Sequence, residues 1–277
     1  MQQELKLRII SGVVLAAIVL LATWYGGIAF SLLSALIGLL IYYEWSTITK
    51  LATEQPVANA IGWLGQAVIA VAVVAGTLEY SLLLLVLFFL IAVGFVFTAG
   101  VSRWFPTGIV YAGLTGIALS SIRGADSVGL AAMLFLFAVV WATDILAYFV
   151  GRAIGGPKLA PKISPGKTWS GAIGGAVSAV IAGSLVAYFA FPQSVLLAAP
   201  IAFILSVCSQ SGDLFESFIK RRFGVKDSSH LIPGHGGVMD RVDGLIFACF
   251  AAFLLAELFS LIKGGEITSL GAALFGV

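Results

Sequence analysis

The sequence predicts an all-α, polytopic transmembrane helix bundle of about nine spans, with the N-terminus in the cytoplasm. Three observations predict it. Hydrophobic residues make up 60% of the 277 residues and charged residues only 10%, whereas a soluble domain carries roughly 45–50% apolar and about 25% charged residues. Apolar runs near the ~20 residues needed to cross a bilayer recur along the whole chain. The basic residues also sort onto one side of the membrane once those runs are taken as crossings.

The elements follow in order. Residues Gln2 to Arg8 precede an apolar run that reaches Trp24. It exceeds the usual ~7–15-residue core of a signal peptide and lacks a clear A-x-A site, so it reads as the first span, Ile9–Trp24. The others are Ile28–Thr49, Ile61–Thr77, Leu82–Ala99, Phe105–Ile122, Val128–Val150, Trp169–Phe191, Val195–Ile219 and Val242–Ile262. Only Arg103 separates the fourth from the fifth, and one arginine near the interface can snorkel. The charge distribution supports separating them. With the N-terminus inside and nine crossings, thirteen of the 15 basic residues fall in cytoplasmic segments, leaving Arg123 and Lys263 outside.

Most connections are short. Two are long and polar, 151–168 and 220–241, and both fall on the cytoplasmic side, where connecting segments tend to carry function. A soft boundary therefore divides an N-terminal transmembrane scaffold, 1–126, from a C-terminal catalytic region, 127–277. No internal repeat is evident, which weakens an inverted-repeat transporter. The net charge of +2 is too small to argue for nucleic acid. Cys208 and Cys249 lie in apolar runs without a CxxC partner or a nearby histidine, and read as buried thiols rather than a metal or disulfide pair.

Ionisable residues inside apolar runs are functional candidates, because a charge at mid-bilayer costs several kcal/mol on most estimates. Asp144, in W-A-T-D-I-L-A-Y-F, is one. Asp213 and Glu216, in S-Q-S-G-D-L-F-E-S-F-I-K, share a helix face with Lys220, since neighbours at i, i+3 and i+4 align. Glu216 with Lys220 reads as an interfacial ion pair. Asp213 lies deeper, with no obvious basic partner. The densest segment is K-R-R-F-G-V-K-D-S-S-H-L-I-P-G-H-G-G-V-M-D-R-V-D-G, from Lys220 to Gly244. Lys220, Arg221, Arg222 and Lys226 offer positive charge for phosphates. Gly236 and Gly237 let backbone N–H groups approach an anion closely. Asp240 and Asp243 are spaced i, i+3 at a helix start, so both carboxylates face one way. Hard oxygen ligands beside a polyphosphate suit Mg²⁺, which takes one or two carboxylates plus substrate phosphates. Asp213, Asp240 and Asp243 are thus expected to converge on a metal, with Asp144 facing the same cavity.

The loop G-R-A-I-G-G-P-K-L-A-P-K-I-S-P-G-K-T-W-S-G repeats the theme, with Lys158, Lys162, Ser164, Lys167 and Thr168. Its G-K-T lacks the P-loop spacing, because Pro161 stands where the first glycine belongs. A helix N-terminus with a nearby lysine can still hold phosphate.

The segment Ser217–Asp243 resembles the hallmark of the phosphatidate cytidylyltransferase family. Ser217, Lys220, Arg221, Lys226, Asp227, Ser229, Pro233, His235, Gly236, Gly237, Asp240, Arg241 and Asp243 all fit its pattern, and the 151–168 loop and the run around Asp144 look similar. The resemblance covers the second half of the chain. It implies a multi-pass protein of the bacterial cytoplasmic membrane, with its active site facing the cytoplasm, that converts CTP and phosphatidate to CDP-diacylglycerol and pyrophosphate. It also implies Mg²⁺, with room for a second cation. Lys226, His235, Asp240, Arg241 and Asp243 are then expected in catalysis. Ser164, Lys167, Ser217, Lys220, Arg221, Gly236 and Gly237 are expected to bind substrate. The membrane CDP-alcohol phosphotransferases need Asp-Gly-x-x-Ala-Arg, which fails here after Asp243-Gly244. The small residues of G-L-T-G and G-A-I-G-G-A sit at helical spacing and suggest a homodimer through close helix approach.

Overall fold

The computed structural model describes residues 2–262 and 269–277, with side chains from residue 9 onward. The side chains of Lys6 and Arg8, and all of Lys263, lie outside the described residues. Nine long helices occupy the nine expected runs: α1 (Gln2–Tyr25), α2 (Gly27–Ile48), α4 (Pro56–Val74), α5 (Leu78–Ala99), α6 (Trp104–Arg123), α7 (Ser127–Ile154), α8 (Trp169–Ala190), α9 (Val195–Arg222) and α10 (Met239–Ile262). Among the described residues there are also two short helices, α3 (Leu51–Glu54) and α11 (Leu270–Phe275), and a 3₁₀ turn at Pro192–Ser194. Eight of the long helices are long and apolar enough to cross a membrane, and the described part of α1, Ile9–Tyr25, is a shorter apolar helix. The protein is an all-α polytopic bundle.

Local chemistry accounts for the boundaries. Gly100 ends α5 in the left-handed region at φ 65°, so Arg103 lies in a real turn and the fourth and fifth runs are separate helices. Pro56 starts α4 earlier than hydropathy alone suggested, because a proline at the first helical position loses no hydrogen bond. Asp126 caps α7 by accepting from the Gly129 N–H at 2.6 Å.

Two compact units emerge. The first comprises residues 1–121 and 222–241, and the second residues 122–221 and 242–277. The core of the first unit gathers on α2, where Tyr42 and Trp45 are almost wholly buried. The Trp45 indole N–H donates to the Trp104 carbonyl at 2.9 Å. A Cβ at Gly108 would sit 2.4 Å from the Trp45 ring. Residues 222–241 join this unit, partly through the edge-on packing of Phe223 against Trp104 at 5.6 Å.

In the second unit α7 packs along α8. A Cβ at Gly171 would come 2.6 Å from the Ala147 carbonyl, and one at Gly175 would come 2.8 Å from that of Thr143. In the first unit, a Cβ at Gly116 would come 3.2 Å from the Ser34 carbonyl of α2. Glycines of both small-residue runs on which self-association was expected thus pack against neighbours in the same chain. The 151–168 segment is also more structured than a loop. Helix α7 continues to Ile154, and β1 (Lys158–Ala160) pairs antiparallel with β2 (Ser164–Thr168).

Candidate active site

The second unit builds a polar cavity of about 520 Å³. Helix α7 lines it with Asp144, Tyr148 and Arg152, the hairpin with Lys158 and Lys167, and α9 with Gln210 and Asp213. Lys167 donates to Asp213 Oδ2 in an ion pair. This corrects the expectation that Asp213 lacks a basic partner: the partner comes from the hairpin, not from its own helix. Asp144, Asp213 and Asp243 lie near enough to act on one another's charge, with Lys167 in the same field.

Glycines make this gathering of carboxylates sterically feasible. A Cβ at Gly212 would meet the Asp243 carbonyl at 2.6 Å, and one at Gly244 would meet the Ser209 hydroxyl at 2.6 Å. Helices α9 and α10 thus approach closely enough to bring Asp243 beside the Asp213 turn. One turn further along α9, Lys220 pairs with buried Glu216 at 2.9 Å, as the helix spacing predicted. Lys220 and Arg221 belong to the last turn of α9 rather than to a loop, because the helix runs three residues past Ile219. Ser217 lies on the same helix, and Ser164 opens β2.

Thr168 caps α8, its hydroxyl accepting from the Gly171 N–H at 3.2 Å. The Trp169 N–H donates to the Pro157 carbonyl at 3.1 Å. Two of the N–H groups that open this helix therefore have partners within the chain. Arg152, Lys158 and Lys167 place three cationic side chains along the cavity. An apolar groove of about 600 Å³ runs from this cavity between α8 and α9, sharing Leu159, Ala172 and Gln210 with it.

The first unit holds the other candidates on the segment before and into α10. Gly234 and Gly236 adopt φ of 77° and 82°, a region favourable to glycine. The turn closes as the His235 N–H donates to the Ile232 carbonyl at 2.9 Å and the Ile232 N–H to the Gly236 carbonyl at 2.8 Å. Asp240 Oδ2 accepts from the Ser228 N–H, the Ser228 hydroxyl and the Gly237 N–H, each at 2.8 Å. The Gly237 N–H, expected to face an anion, is thus held by a carboxylate of the chain. The Ser11 hydroxyl donates to the Pro233 carbonyl at 3.0 Å and lies 2.9 Å from His235 Nδ1. A hydroxyl has one proton, so both contacts are satisfied when Nδ1–H is the donor, which leaves Nε2 as the acceptor nitrogen. Lys226 and Arg241 are exposed.

Sequence reasoning passed over Glu44. It lies on α2, is wholly buried, and accepts hydrogen bonds from Ser228, Ser229, Val238 and Met239. The signal was available, since Glu44 is the one carboxylate within Ile28–Thr49. Among the described residues, no three His, Cys, Asp or Glu side chains form a metal-binding group. A Mg²⁺ held by one or two carboxylates and completed by substrate phosphates requires no such cage. The oxygen chemistry of Asp213 and Asp243 suits that ion, and the three donors on Asp240 Oδ2 are the kind of support that ligating carboxylates carry.

Comparison with known proteins adds an independent line. Residues 6–259 match the model of the cytidylyltransferase family. The phosphatidate cytidylyltransferase of Brucella abortus (strain 9-941) is 45% identical over 268 residues, covering 93% of this chain and 95% of that one. The protein of the same name from Bacillus subtilis (strain 168) is 34% identical over 270 residues, covering 93% and 99%. That of Haemophilus influenzae is 48% identical over 137 residues, 46% of this chain and 48% of that one.

Proposed function

The chain belongs to the cytidylyltransferase family, and from that premise we propose that it converts CTP and phosphatidate to CDP-diacylglycerol and pyrophosphate at the cytoplasmic face of a bacterial membrane. One observation carries the reading. A polar cavity bearing Asp144, Lys167 and Asp213 runs into an apolar groove, which is the pairing that one charged, soluble substrate and one lipid substrate require. CTP cannot enter hydrocarbon. Phosphatidate cannot cheaply withdraw its chains from it, at about 0.8 kcal/mol per CH₂. The reacting phosphates therefore meet at headgroup level. The bias of basic residues toward one side supports assigning that level to the cytoplasmic face.

In the reaction a phosphate oxygen of the lipid bonds to the α-phosphorus of CTP. The bond from that phosphorus to the bridging oxygen breaks, and pyrophosphate leaves with the electron pair. Both reactants are anions, so catalysis rests on positioning and charge neutralisation. Lys167, held by Asp213, presents a fixed ammonium in the cavity. Arg152 and Lys158 line the same space, and Lys220, Arg221 and Lys226 supply further positive charge for triphosphate or lipid phosphate. Asp213 and Asp243 are the carboxylates we assign to Mg²⁺, which when bound would neutralise charge on the reacting phosphates. His235, with Nδ1 committed to Ser11, keeps Nε2 as an acceptor for a substrate proton. The groove between α8 and α9 takes an acyl chain.

The test is turnover by the purified protein in detergent micelles with labelled CTP. Lipid-extractable label and pyrophosphate are expected in equal amounts, only with phosphatidate and Mg²⁺ present and not with diacylglycerol. Label transfer to another lipid phosphate but not to phosphatidate would overturn the substrate. Full activity in excess EDTA would overturn the metal.

A further inference from the structure

Three donors and one shared hydroxyl point at one buried carboxylate. Glu44 Oε1 accepts from the Ser229 hydroxyl at 2.6 Å and the Val238 N–H at 2.8 Å. Its Oε2 accepts from the Met239 N–H at 2.6 Å and lies 3.1 Å from the Ser228 hydroxyl, whose one proton it shares with Asp240. Val238 and Met239 stand at the start of α10, where N–H groups have no acceptor within their own helix. A carboxylate there works as an N-terminal cap, although it is supplied by a helix almost 200 residues earlier in the chain. The Ser228 hydroxyl also reaches Asp240 Oδ2, so Glu44 and Asp240 grip the same residue from two sides. Gly237 must lack a side chain because of this grip. A Cβ there would come 2.0 Å from Ser228 Oγ and 2.3 Å from Glu44 Oε1.

We infer that Glu44 is a positioning residue for the reaction, acting through the 228–239 segment to fix Asp240 and His235 without touching substrate. The inference rests on the assignment of that segment to the active site. It gives the N-terminal part of the chain a part in the chemistry beyond that of a lipid-facing scaffold. The charge state matters as well as the shape. Each oxygen of Glu44 faces a backbone N–H, so an amide of the same size would turn its NH₂ toward that of Val238 or Met239.

The test uses Glu44→Gln in the full-length protein, with kinetics measured in the otherwise native chain. Loop order is read in a chain with Cys208 replaced by serine and Ile232 replaced by cysteine. Native Cys249, wholly buried in the second unit, reports on the rest of the fold. Methyl methanethiosulfonate is the probe, with modification followed by mass spectrometry. The expected result is a fall in kcat of about 10–100-fold, the range for supporting residues around a site. KM for CTP should change little, and labelling at position 232 should quicken at least tenfold with Cys249 unchanged. Ser229→Ala, which removes the hydroxyl on Glu44 Oε1, should give a smaller loss that is not additive with Glu44→Gln.

Three outcomes would overturn the inference: unchanged labelling at 232, acceleration at 232 and Cys249 together, or an opened segment with native kcat. Absence of phosphatidate turnover in the native protein would instead refute the proposed function. The labelling result would stand apart from it.

Discussion

Lys167 and Asp213 stand 46 residues apart and form a single ion pair. Each residue was visible in the sequence as a candidate, but their pairing was not. Spacing along a chain reveals a partner on the same helix, as it did for Glu216 and Lys220, and says nothing of a partner on another element. The pair supports a direct prediction. Lys167→Met and Asp213→Asn should each lower kcat by about 10²–10³-fold, the loss typical of removing one preorganised charge-stabilising group. The double variant should lose much less than the product of the two, measured as CDP-diacylglycerol formed under saturating CTP. Gly237→Ala should be inactive, because its methyl would sit on Ser228 and Glu44. The sequence marked Gly237 for close approach to an anion. In the structure the close approach is to the chain's own carboxylate, and hydropathy gives no hint of that difference.

Helices were the most legible elements, because lipid as solvent demands long apolar runs with internally satisfied backbones. Their ends were less legible where polar chemistry decides them, as at Pro56 and the last turn of α9. The β1–β2 hairpin was invisible, since strands of three and five residues in a Gly/Pro-rich stretch are too short to show alternation. The glycines of α8 were read correctly as contact residues, but the contact is with α7 of the same chain. Gly175→Leu should therefore destabilise the protein by about 1–3 kcal/mol through overpacking. Thermal unfolding in detergent, followed by Cys249 reactivity, would measure it. The groove between α8 and α9 gives a second prediction. Ala176→Trp would fill it, raising KM for long-chain phosphatidate several-fold while leaving KM for CTP, and turnover of a short-chain phosphatidate, near native values.

Composition alone was enough to place the whole molecule in a membrane. The basic-residue bias supports an N-terminus and active site on the cytoplasmic side, and sealed vesicles of known orientation would test it. A cysteine replacing Leu231, which is exposed, should react with an impermeant thiol reagent from the cytoplasmic face alone, and CTP should slow the reaction. The division of the chain into two units was not legible, because residues 222–241 pack with the first unit although they follow most of the second. That interleaving has a consequence for biosynthesis. Glu44 leaves the ribosome at least 184 residues before its partners on the 228–239 segment. At about 5–20 residues per second, its carboxylate waits roughly 10–40 s, already inserted with α2, for the donors that will satisfy it. Until then the nascent chain carries a carboxyl group without its hydrogen-bond donors, the kind of feature that membrane quality-control proteases can exploit. A chain truncated after Arg221 never leaves that condition. It should be degraded rapidly in pulse–chase, and Glu44→Leu in the same truncation should lengthen its lifetime.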